Sequence, residues 1–264
     1  MFFNRAVLRQ PGEEIINGLS QNPQHEKPNF KLALAQHVHY AETLRKIGLL
    51  PLIHLANKEF PDGCFTEDTH LILNEVVIRL NPGTPSRSKE PDSLQRSLPK
   101  DRPYERIPND FTIDGGDILV CNKRIYVGLS SRTQPQAITA LEKIVTKYQY
   151  QVLSVPVPEG LHLKTGMTAV NPDTFLVQKP FLEILKSLHA ELNEEKNYFI
   201  VPPEEEFAAN VLPLNDAIII PPNCPKTKAF LLNYFSEDKI NEVDTSEFRK
   251  VDGALTCLSI PYRC

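Results

Sequence analysis

The chain has 264 residues, with 29 Lys and Arg against 33 Asp and Glu and a formal net charge of −4. This slightly acidic balance argues against a general nucleic-acid-binding protein, which usually carries a basic face. Hydrophobic residues make up 41% of the chain, which is enough for a sizeable core, so a disordered chain is not expected. Because no apolar run approaches the ~20 residues that cross a bilayer, no membrane partner is expected either.

Short apolar runs alternate with helical patterns along the chain and predict a mixed α/β protein. The predicted strands are 6–8, 50–55, 71–80, 118–129, 152–157, 217–220 and 255–260. The predicted helices are 30–47, 136–148, 181–192, 206–209 and 227–235. These units lack the regular strand-then-long-helix rhythm of a Rossmann sheet, and no internal repeat is evident.

The segment 81–109 carries six of the chain's 23 prolines. Its composition allows two interpretations, a linker between two domains or a long loop over a functional site. No glycine-rich phosphate loop occurs, so nucleotide binding has no support.

Five cysteines, Cys64, Cys121, Cys224, Cys257 and Cys264, are spread along the chain without CxxC spacing. This distribution supports neither a disulfide scaffold nor a structural zinc site. Since the N-terminus lacks the apolar segment of a secretory signal, we expect a cytoplasmic protein in a reducing environment. At least one thiol is then free, which makes a cysteine nucleophile worth seeking.

An acidic cluster, Asp62, Glu67 and Asp68, lies where a turn with Pro61 and Gly63 leads into a predicted strand. Ionised carboxylates only accept hydrogen bonds, so three of them together suit a cationic ligand. A solvated turn is the simpler interpretation of this pattern taken alone.

Four further positions carry side chains suited to chemistry. Asp114 begins a DGGD turn, Arg132 precedes a predicted helix, His162 lies between two leucines, and Cys257 follows an Asp-Gly pair by a few residues. An arginine can clamp a carboxylate bidentately, and histidine is the usual proton carrier. Each also has an ordinary interpretation: a turn, a surface arginine, a core histidine or a buried structural cysteine.

Taken in order, these motifs resemble the dimethylarginine dimethylaminohydrolases, a family of the guanidino-group-modifying (pentein) superfamily. The motifs are Asp62-x4-Glu67-Asp68, Pro-Ser-Arg87, Asp114-Gly-Gly-Asp, Gly-Leu-Ser-x-Arg132, Leu-His162-Leu-Lys and Val-Asp252-Gly-x-Leu-Thr-Cys257. The resemblance covers essentially the whole chain and implies one catalytic domain over residues 1–264. The fold it implies is a five-bladed α/β propeller of ββαβ-like units, with the active site in the central channel.

The resemblance implies hydrolysis of Nω-methylated arginine to citrulline and dimethylamine or methylamine. It makes Cys257 the nucleophile and His162 the acid and then the base. Asp114, where many bacterial members have Glu, becomes the acid that orients the histidine. No metal or organic cofactor is implied, because thiolate, histidine and water carry out every step.

The substrate contacts implied by the resemblance divide by charge. They are Asp68 and Asp252, bordered by Glu67, for the guanidinium, Arg87 and Arg132 for the α-carboxylate, and Asp62 with the backbone carbonyls of Leu19 and Val251 for the α-ammonium. Because Arg87 lies in the proline-rich segment, the first part of that segment is predicted to be a substrate-binding loop.

Two alternatives stay open. One is another hydrolase of the superfamily, acting on arginine, agmatine or citrulline. Arginine deiminases typically carry a helical insertion for which 264 residues leave no room, and agmatine lacks the carboxylate that the two arginines would bind. The other is a non-catalytic propeller that binds a partner, for which loss of Cys257 or His162 would be expected. The oligomeric state, including a homodimer, is also left open.

Overall fold

The structure is a computed structural model that describes residues 2–22, 24 and 26–264. The strands in this part of the chain are β1 (Arg5–Arg9), β2 (Leu50–His54), β3 (His70–Ile72), β4 (Val77–Arg79), β5 (Tyr104–Arg106), β6 (Ile118–Cys121), β7 (Arg124–Leu129), β8 (Gln151–Pro156), β9 (Met167–Asn171), β10 (Thr174–Val177), β11 (Asn197–Ile200), β12 (Leu212–Leu214), β13 (Ala217–Ile220), β14 (Ile240–Glu242) and β15 (Ile260–Tyr262). The α-helices are α1 (Phe30–Lys46), α2 (Glu90–Leu94), α3 (Pro135–Val145), α4 (Leu163–Gly166), α5 (Lys179–Glu191), α6 (Pro225–Leu231) and α7 (Ser246–Arg249). Short 3₁₀ turns cover Glu13–Asn17, Thr66–Thr69, Pro85–Arg87, Gln95–Ser97, Gly115–Asp117, Thr146–Tyr148, Pro203–Ala209, Glu237–Lys239 and Thr256–Leu258.

The described strands form five three-stranded sheets, which are the blades of a propeller. Blades 2 to 5 are β3-β4-β5, β6-β7-β8, β9-β10-β11 and β12-β13-β14. In each, an antiparallel hairpin is followed by a helical crossover to a third strand that lies parallel to the middle strand. This ββαβ unit confirms the predicted fold class.

Blade 1 is assembled from distant parts of the chain. Its middle strand β1 pairs in parallel with β2 and antiparallel with β15, where Arg5 faces Tyr262. The N–H of Asn4 donates to the carbonyl of Tyr262 at 3.1 Å, and the N–H of Cys264 donates to Asn4 Oδ1 at 2.8 Å. Pairing of β15 with β1 therefore closes the ring of blades.

Apolar side chains fill the space between neighbouring blades. Val7 of blade 1 packs with Val77 of blade 2, and Ile78 of blade 2 packs with Ile125 of blade 3. Because each middle strand is covered on both faces, its residues are apolar at consecutive positions, as in the fully buried AIII of β13. The blades thus depend on one another for their cores.

Several sequence predictions need correction. The runs 71–80 and 118–129 are hairpins rather than single strands, because Asn74-Glu75 and Asn122-Lys123 turn the chain back. The segment 255–260 is mostly the turn Thr256–Leu258 rather than a strand. The sequence also missed β5, β9, β10, β11, β12 and β14, whereas the helices at 30–47, 136–148 and 181–192 are confirmed to within a few residues.

The proline-rich segment 81–109 is not a linker. It contains α2, two 3₁₀ turns and β5, which pairs with β4. The segment is thus the crossover of blade 2, and it places Arg87 beside the channel.

A repeat that the sequence reading did not find is visible in the structure. An asparagine lies shortly before the middle strand of every blade: Asn4, Asn74, Asn122, Asn171 and Asn215. Asn122 and Asn215 adopt left-handed backbone angles, with φ of 55° and 58°, which asparagine tolerates better than most residues. The crossovers between these turns differ in length, so the repeat has no fixed period. Among the described helices, none combines the length and apolar character needed to cross a membrane.

Closure of the ring predicts a stability effect at Tyr262, which is buried between blades 1 and 2. Tyr262→Ala should lower the free energy of unfolding by about 3 kcal/mol, as expected for emptying a buried aromatic site. Arg263→Ala is the control, because that side chain is exposed and its loss should cost no more than about 0.5 kcal/mol. Urea denaturation of both variants checks this, and equal losses would contradict it.

Candidate active site

The candidate site lies at one end of the channel, where five short turns meet. Each turn precedes the first strand of a blade, the one that pairs antiparallel with the middle strand; in blade 1 this strand is β15. These turns are Thr66–Thr69, Gly115–Asp117, α4, Pro203–Ala209 and Thr256–Leu258, and they contact one another in pairs. The predicted residues Asp68, Asp114, His162 and Cys257 lie in or next to four of these turns. Residues nearly 200 positions apart in sequence therefore converge because the propeller places equivalent turns around one axis.

His162 and Asp114 form a buried pair. The distance from His162 Nε2 to Asp114 Oδ2 is 2.9 Å, and the other carboxylate oxygen accepts the N–H of Gly83 at 2.6 Å. The aspartate is thus long enough to orient the histidine. Burial alone lowers the pKa of His162, but the hydrogen bond to Asp114 and the charge of Asp68 outweigh it and raise the pKa to about 9. The imidazole therefore carries a proton at neutral pH.

The two glycines of the DGGD motif are required by close packing. A β-carbon at Gly116 would lie 2.5 Å from His162 Nδ1, and one at Gly115 would collide with the carbonyl oxygen of Glu67. The histidine ring thus rests on the backbone of this turn. No other residue type fits there without moving the ring.

Asp117, the second aspartate of the motif, has a structural role that the sequence did not reveal. Its carboxylate accepts from Ser130 Oγ at 2.6 Å, Thr133 Oγ1 at 2.6 Å and the N–H of Leu163 at 2.9 Å. These three donors satisfy a fully buried charge. They also fix the backbone next to His162.

Asp68 is held by two strong hydrogen bonds. It accepts from the N–H of Gly116 at 2.8 Å and from Arg87 Nη1 at 2.7 Å. Burial raises the pKa of Asp68, but the charges of Arg87 and His162 outweigh it and lower the pKa to about 2. One polar atom each of Asp68, Asp114 and His162 lies within 4.8 Å of the others. The ionised carboxylate of Asp68 is therefore adjacent to the His162–Asp114 pair.

Arg87 is buried, and its guanidinium points into the protein. Nη2 donates to Glu90 Oε2 at 2.9 Å and to the carbonyl of Phe65 at 3.0 Å, while Nη1 pairs with Asp68. Glu90, which sequence reasoning missed, is the counter-charge of this arginine. The predicted contact of Arg87 with an α-carboxylate stays a prediction.

Glu67, Lys164 and Thr256 form a floor across the channel. Glu67 Oε1 pairs with Lys164 Nζ, and Glu67 Oε2 accepts from Thr256 Oγ1 at 2.9 Å. Burial raises the pKa of Glu67, and the charge of Lys164 opposes this. On the far side of this floor the channel contains a cavity of about 620 Å³. It is lined by these three residues and by apolar side chains such as Leu71.

Cys257 is buried beside this floor. Burial and the charges of Glu67 and Asp68 raise the pKa of its thiol to about 12, against the opposing charge of Lys164. All five cysteines are free, and Cys264 is exposed. The thiol of this candidate nucleophile is therefore neutral at pH 7.

The predicted α-ammonium site is assembled from three segments. The N–H of Leu19 donates to Asp62 Oδ1 at 2.9 Å. A β-carbon at Gly18 would lie 3.0 Å from Val251 Cγ1 and 3.2 Å from Asp62 Oδ1, so the three predicted residues are neighbours. Burial raises the pKa of Asp62, and the charge of Arg87 opposes this.

Asp252 and Arg132 lie at the edge of the candidate site. Asp252 has a left-handed backbone, with φ of 57°, and its carboxylate accepts from the N–H of Gln21. The Arg132 side chain keeps 18% of its surface exposed, contacts the Thr84 hydroxyl, and lies 3.9 Å from Asp114 Oδ2. Of the two predicted carboxylate-binding arginines, Arg132 is thus the one with a solvent-accessible side chain.

Comparison with known proteins identifies the family. A family model described as arginine deiminase matches residues 93–221. The N(G),N(G)-dimethylarginine dimethylaminohydrolase of Pseudomonas aeruginosa is 30% identical over 268 residues, which cover 98% of this chain and all of that protein. The chain belongs to the dimethylarginine dimethylaminohydrolase family of the pentein superfamily.

Other members of the family agree with this. The enzyme of the same name from Streptomyces coelicolor is 30% identical over 98% of this chain and 97% of its own. A structure of the Pseudomonas aeruginosa enzyme, a cysteine-to-serine mutant complexed with citrulline, superposes with a TM-score of 0.90 at 28% identity and covers 99% of this chain and 100% of that one. The chain is accordingly a guanidino-group-modifying hydrolase of the dimethylarginine dimethylaminohydrolase and arginine deiminase group, acting on amidine C–N bonds.

The His162–Asp114 pair predicts a pH-dependent stability. A raised pKa in the folded state stabilises the protein fully below the unfolded pKa of about 6.5, and this contribution is lost as the pH rises through about 9. Asp114→Asn should remove most of it, which amounts to on the order of 3 kcal/mol at pH 6. Above pH 9 the difference from the wild type should shrink.

Carbon-13 NMR of labelled histidine side chains measures the same effect directly. The pKa of His162 should fall from about 9 to near or below 6.5 in Asp114→Asn. Asp110→Asn, at an exposed carboxylate, is the control and should leave it unchanged. An unaltered His162 titration in Asp114→Asn would contradict the assignment.

Proposed function

We propose that this protein hydrolyses Nω-methylated L-arginine to L-citrulline and dimethylamine or methylamine. The observation that carries the proposal is the buried thiol of Cys257 beside the carboxylates of Glu67 and Asp68. Asp68 in turn lies within 4.8 Å of the polar atoms of the His162–Asp114 pair. Such a site favours a cation that brings an electrophilic carbon, and a guanidinium is one. The dimethylarginine hydrolases among its relatives supply the substrate class.

The reaction begins when the guanidinium cation binds beside Cys257 and favours its thiolate over the thiol. The thiol proton is released to solvent, because His162 already holds a proton. The thiolate attacks the guanidinium carbon and forms a tetrahedral adduct. His162, which holds a proton at neutral pH, gives that proton to the departing amine, and an S-alkylthiouronium remains on Cys257. His162 then takes a proton from water, which attacks the same carbon, and the C–S bond breaks to release citrulline, while the proton of the new C–OH group passes to the departing thiolate and restores the thiol.

Substrate binding follows the charges around the channel. Asp68 and Asp252 are proposed to hold the guanidinium, with Glu67 supporting them through its pairs to Lys164 and Thr256. Fixing the guanidinium plane against the thiol lowers the entropic barrier to attack. Because the guanidinium is a cation, it also interacts favourably with the carboxylates around it.

The amino-acid end of the substrate is proposed to lie between Arg132 and Asp62. Arg132, with Arg87, would bind the α-carboxylate, while Asp62 and the carbonyls of Leu19 and Val251 would accept from the α-ammonium. The exposure of Arg132 and the adjacency of Leu19 and Asp62 support this orientation. We also propose that residues 1–264 act as one catalytic domain, since the functional groups come from different blades.

A second candidate is hydrolysis of unmethylated arginine. It is favoured by the match of residues 93–221 to the arginine deiminase model. The chemistry at Cys257 and His162 would be the same, with ammonia as the leaving group.

Product analysis distinguishes these functions. Purified protein incubated separately with asymmetric dimethylarginine, monomethylarginine, arginine and agmatine should give citrulline and an amine from the methylated substrates. Ammonia from arginine at a comparable rate would favour the second candidate. No turnover of any of them would favour a non-catalytic binding protein.

A pair of cysteine variants tests the nucleophile. Cys257→Ser should lower kcat by at least about 1,000-fold, because a neutral hydroxyl replaces the attacking thiolate. Cys264→Ser is the matched control, since Cys264 is exposed, and it should keep kcat within about twofold. Equal losses in both would mean that Cys257 is not the nucleophile.

Arg132→Gln tests the orientation of the substrate. It should lower kcat/KM for dimethylarginine by about 10- to 100-fold, the cost of a lost charge-assisted contact. It should leave kcat/KM for the decarboxylated analogue, Nω,Nω-dimethylagmatine, nearly unchanged. A similar loss on both compounds would show that Arg132 does not bind the carboxylate.

A further inference from the structure

Asn210 occupies the place in blade 5 that functional residues occupy in the other blades. It follows the turn Pro203–Ala209 and precedes β12, as Asp68 precedes β3 and Cys257 precedes β15. Sequence reasoning assigned no residue of blade 5 to the site. The arrangement of equivalent turns around the channel therefore draws attention to this asparagine.

The side chain of Asn210 is buried, with 5% of its surface exposed, and its carboxamide is fully engaged. Nδ2 donates to the carbonyl of Lys164 at 2.9 Å and to Thr256 Oγ1 at 3.1 Å, while Oδ1 accepts the N–H of Thr256 at 3.1 Å. Only a donor can face the Lys164 carbonyl, and only an acceptor can face the Thr256 N–H. The orientation of the carboxamide is thus fixed by its partners.

These bonds join the two segments that carry the proposed chemistry. Thr256 is the neighbour of Cys257, and Lys164 lies two residues after His162. Thr256 Oγ1 in turn donates to Glu67, which pairs with Lys164. Asn210, Thr256, Glu67 and Lys164 therefore close a ring of contacts across four blades.

We propose that Asn210 is a positioning residue that fixes Cys257 relative to His162. The two groups lie on blades 1 and 4, so the backbone does not set their separation. A neutral side chain with both a donor and an acceptor can bind both turns without adding a further charge beside Glu67. The proposal rests on the roles proposed for Cys257 and His162, and it does not depend on methylarginine being the substrate.

Asn210→Ala should lower kcat by about 10- to 100-fold, because small misplacements of reacting groups have effects of this size. KM should stay within about threefold, because the proposed contacts at Asp62 and Arg132 lie elsewhere. The assay uses whichever guanidino substrate the wild type turns over fastest.

Release of the Thr256 turn should also make alkylation of Cys257 by iodoacetamide several-fold faster at pH 8, as read by mass spectrometry of its peptide.

Thr168→Val is the matched control. Thr168 Oγ1 donates to the carbonyl of Ala209 at 2.7 Å in the same buried region, but it joins neither the Cys257 turn nor the His162 turn. This variant should lose a similar amount of thermal stability and keep both kcat and the alkylation rate within about twofold of the wild type.

Thr256→Val provides a second test in case Asn210→Ala does not fold. It keeps the side-chain shape and removes the hydroxyl contacts with Asn210 and Glu67, so kcat should fall by about tenfold. The proposal is overturned if the folded variants keep wild-type kcat and alkylation rates, or if Thr168→Val lowers kcat as much as they do. A wild type inactive on methylated arginines would refute the proposed substrate alone, and the alkylation rates would still decide the role of Asn210.

Discussion

Compensation of buried charge is the constraint on which the centre of this propeller depends. An unpaired carboxylate in a closed channel costs several kcal/mol, so each one needs a cation or a hydrogen-bond donor beside it. The compensating contacts are Asp68 with Arg87 and Gly116, Glu90 with Arg87, Glu67 with Lys164, Asp114 with His162, and Asp62 with the Leu19 N–H. Because Asp68 with Gly116, Asp114 with His162 and Glu67 with Lys164 join different blades, these contacts tie the blades together at the axis.

The same charges set the state of the thiol. Glu67 and Asp68 oppose a further negative charge, and Cys257 therefore rests as a neutral thiol with a pKa of about 12. His162 rests as a cation with a pKa of about 9. The charges that keep Cys257 protonated are negative, so a cation beside the thiol would offset them and favour the thiolate.

The sequence predicted the longer helices well, because their apolar stripes repeat every three to four residues and their ends carry recognisable signals. It predicted β3 and β4 as one strand, and β6 and β7 as another. Strands buried on both faces have apolar residues at consecutive positions, so two of them in succession resemble one longer apolar run. The candidate site residues could not be brought together by spacing, because Asp114 and His162 lie in different blades. Only the order of motifs along the chain, through a family resemblance, indicated that they meet.

The residues that the sequence missed share one property: their role depends on a neighbour from another segment. Asn210 stands between Ala209 and Val211 with no motif around it, and Glu90 resembles any charged residue in a short helix. Their hydrogen bonds to Thr256 and Arg87 appear only in three dimensions. The position of Asn210 before a first strand is a usable signal once the register of the five blades is known.

Closure of blade 1 links folding to chemistry. Cys257 lies in the turn that leads directly into β15, and β15 is the strand whose pairing with β1 completes the ring. The contacts that fix the position of this thiol therefore lie next to the strand pairing that closes the ring. Without that pairing the turn that carries Cys257 would not be fixed beside Glu67, so the position of this thiol depends on closure of the ring.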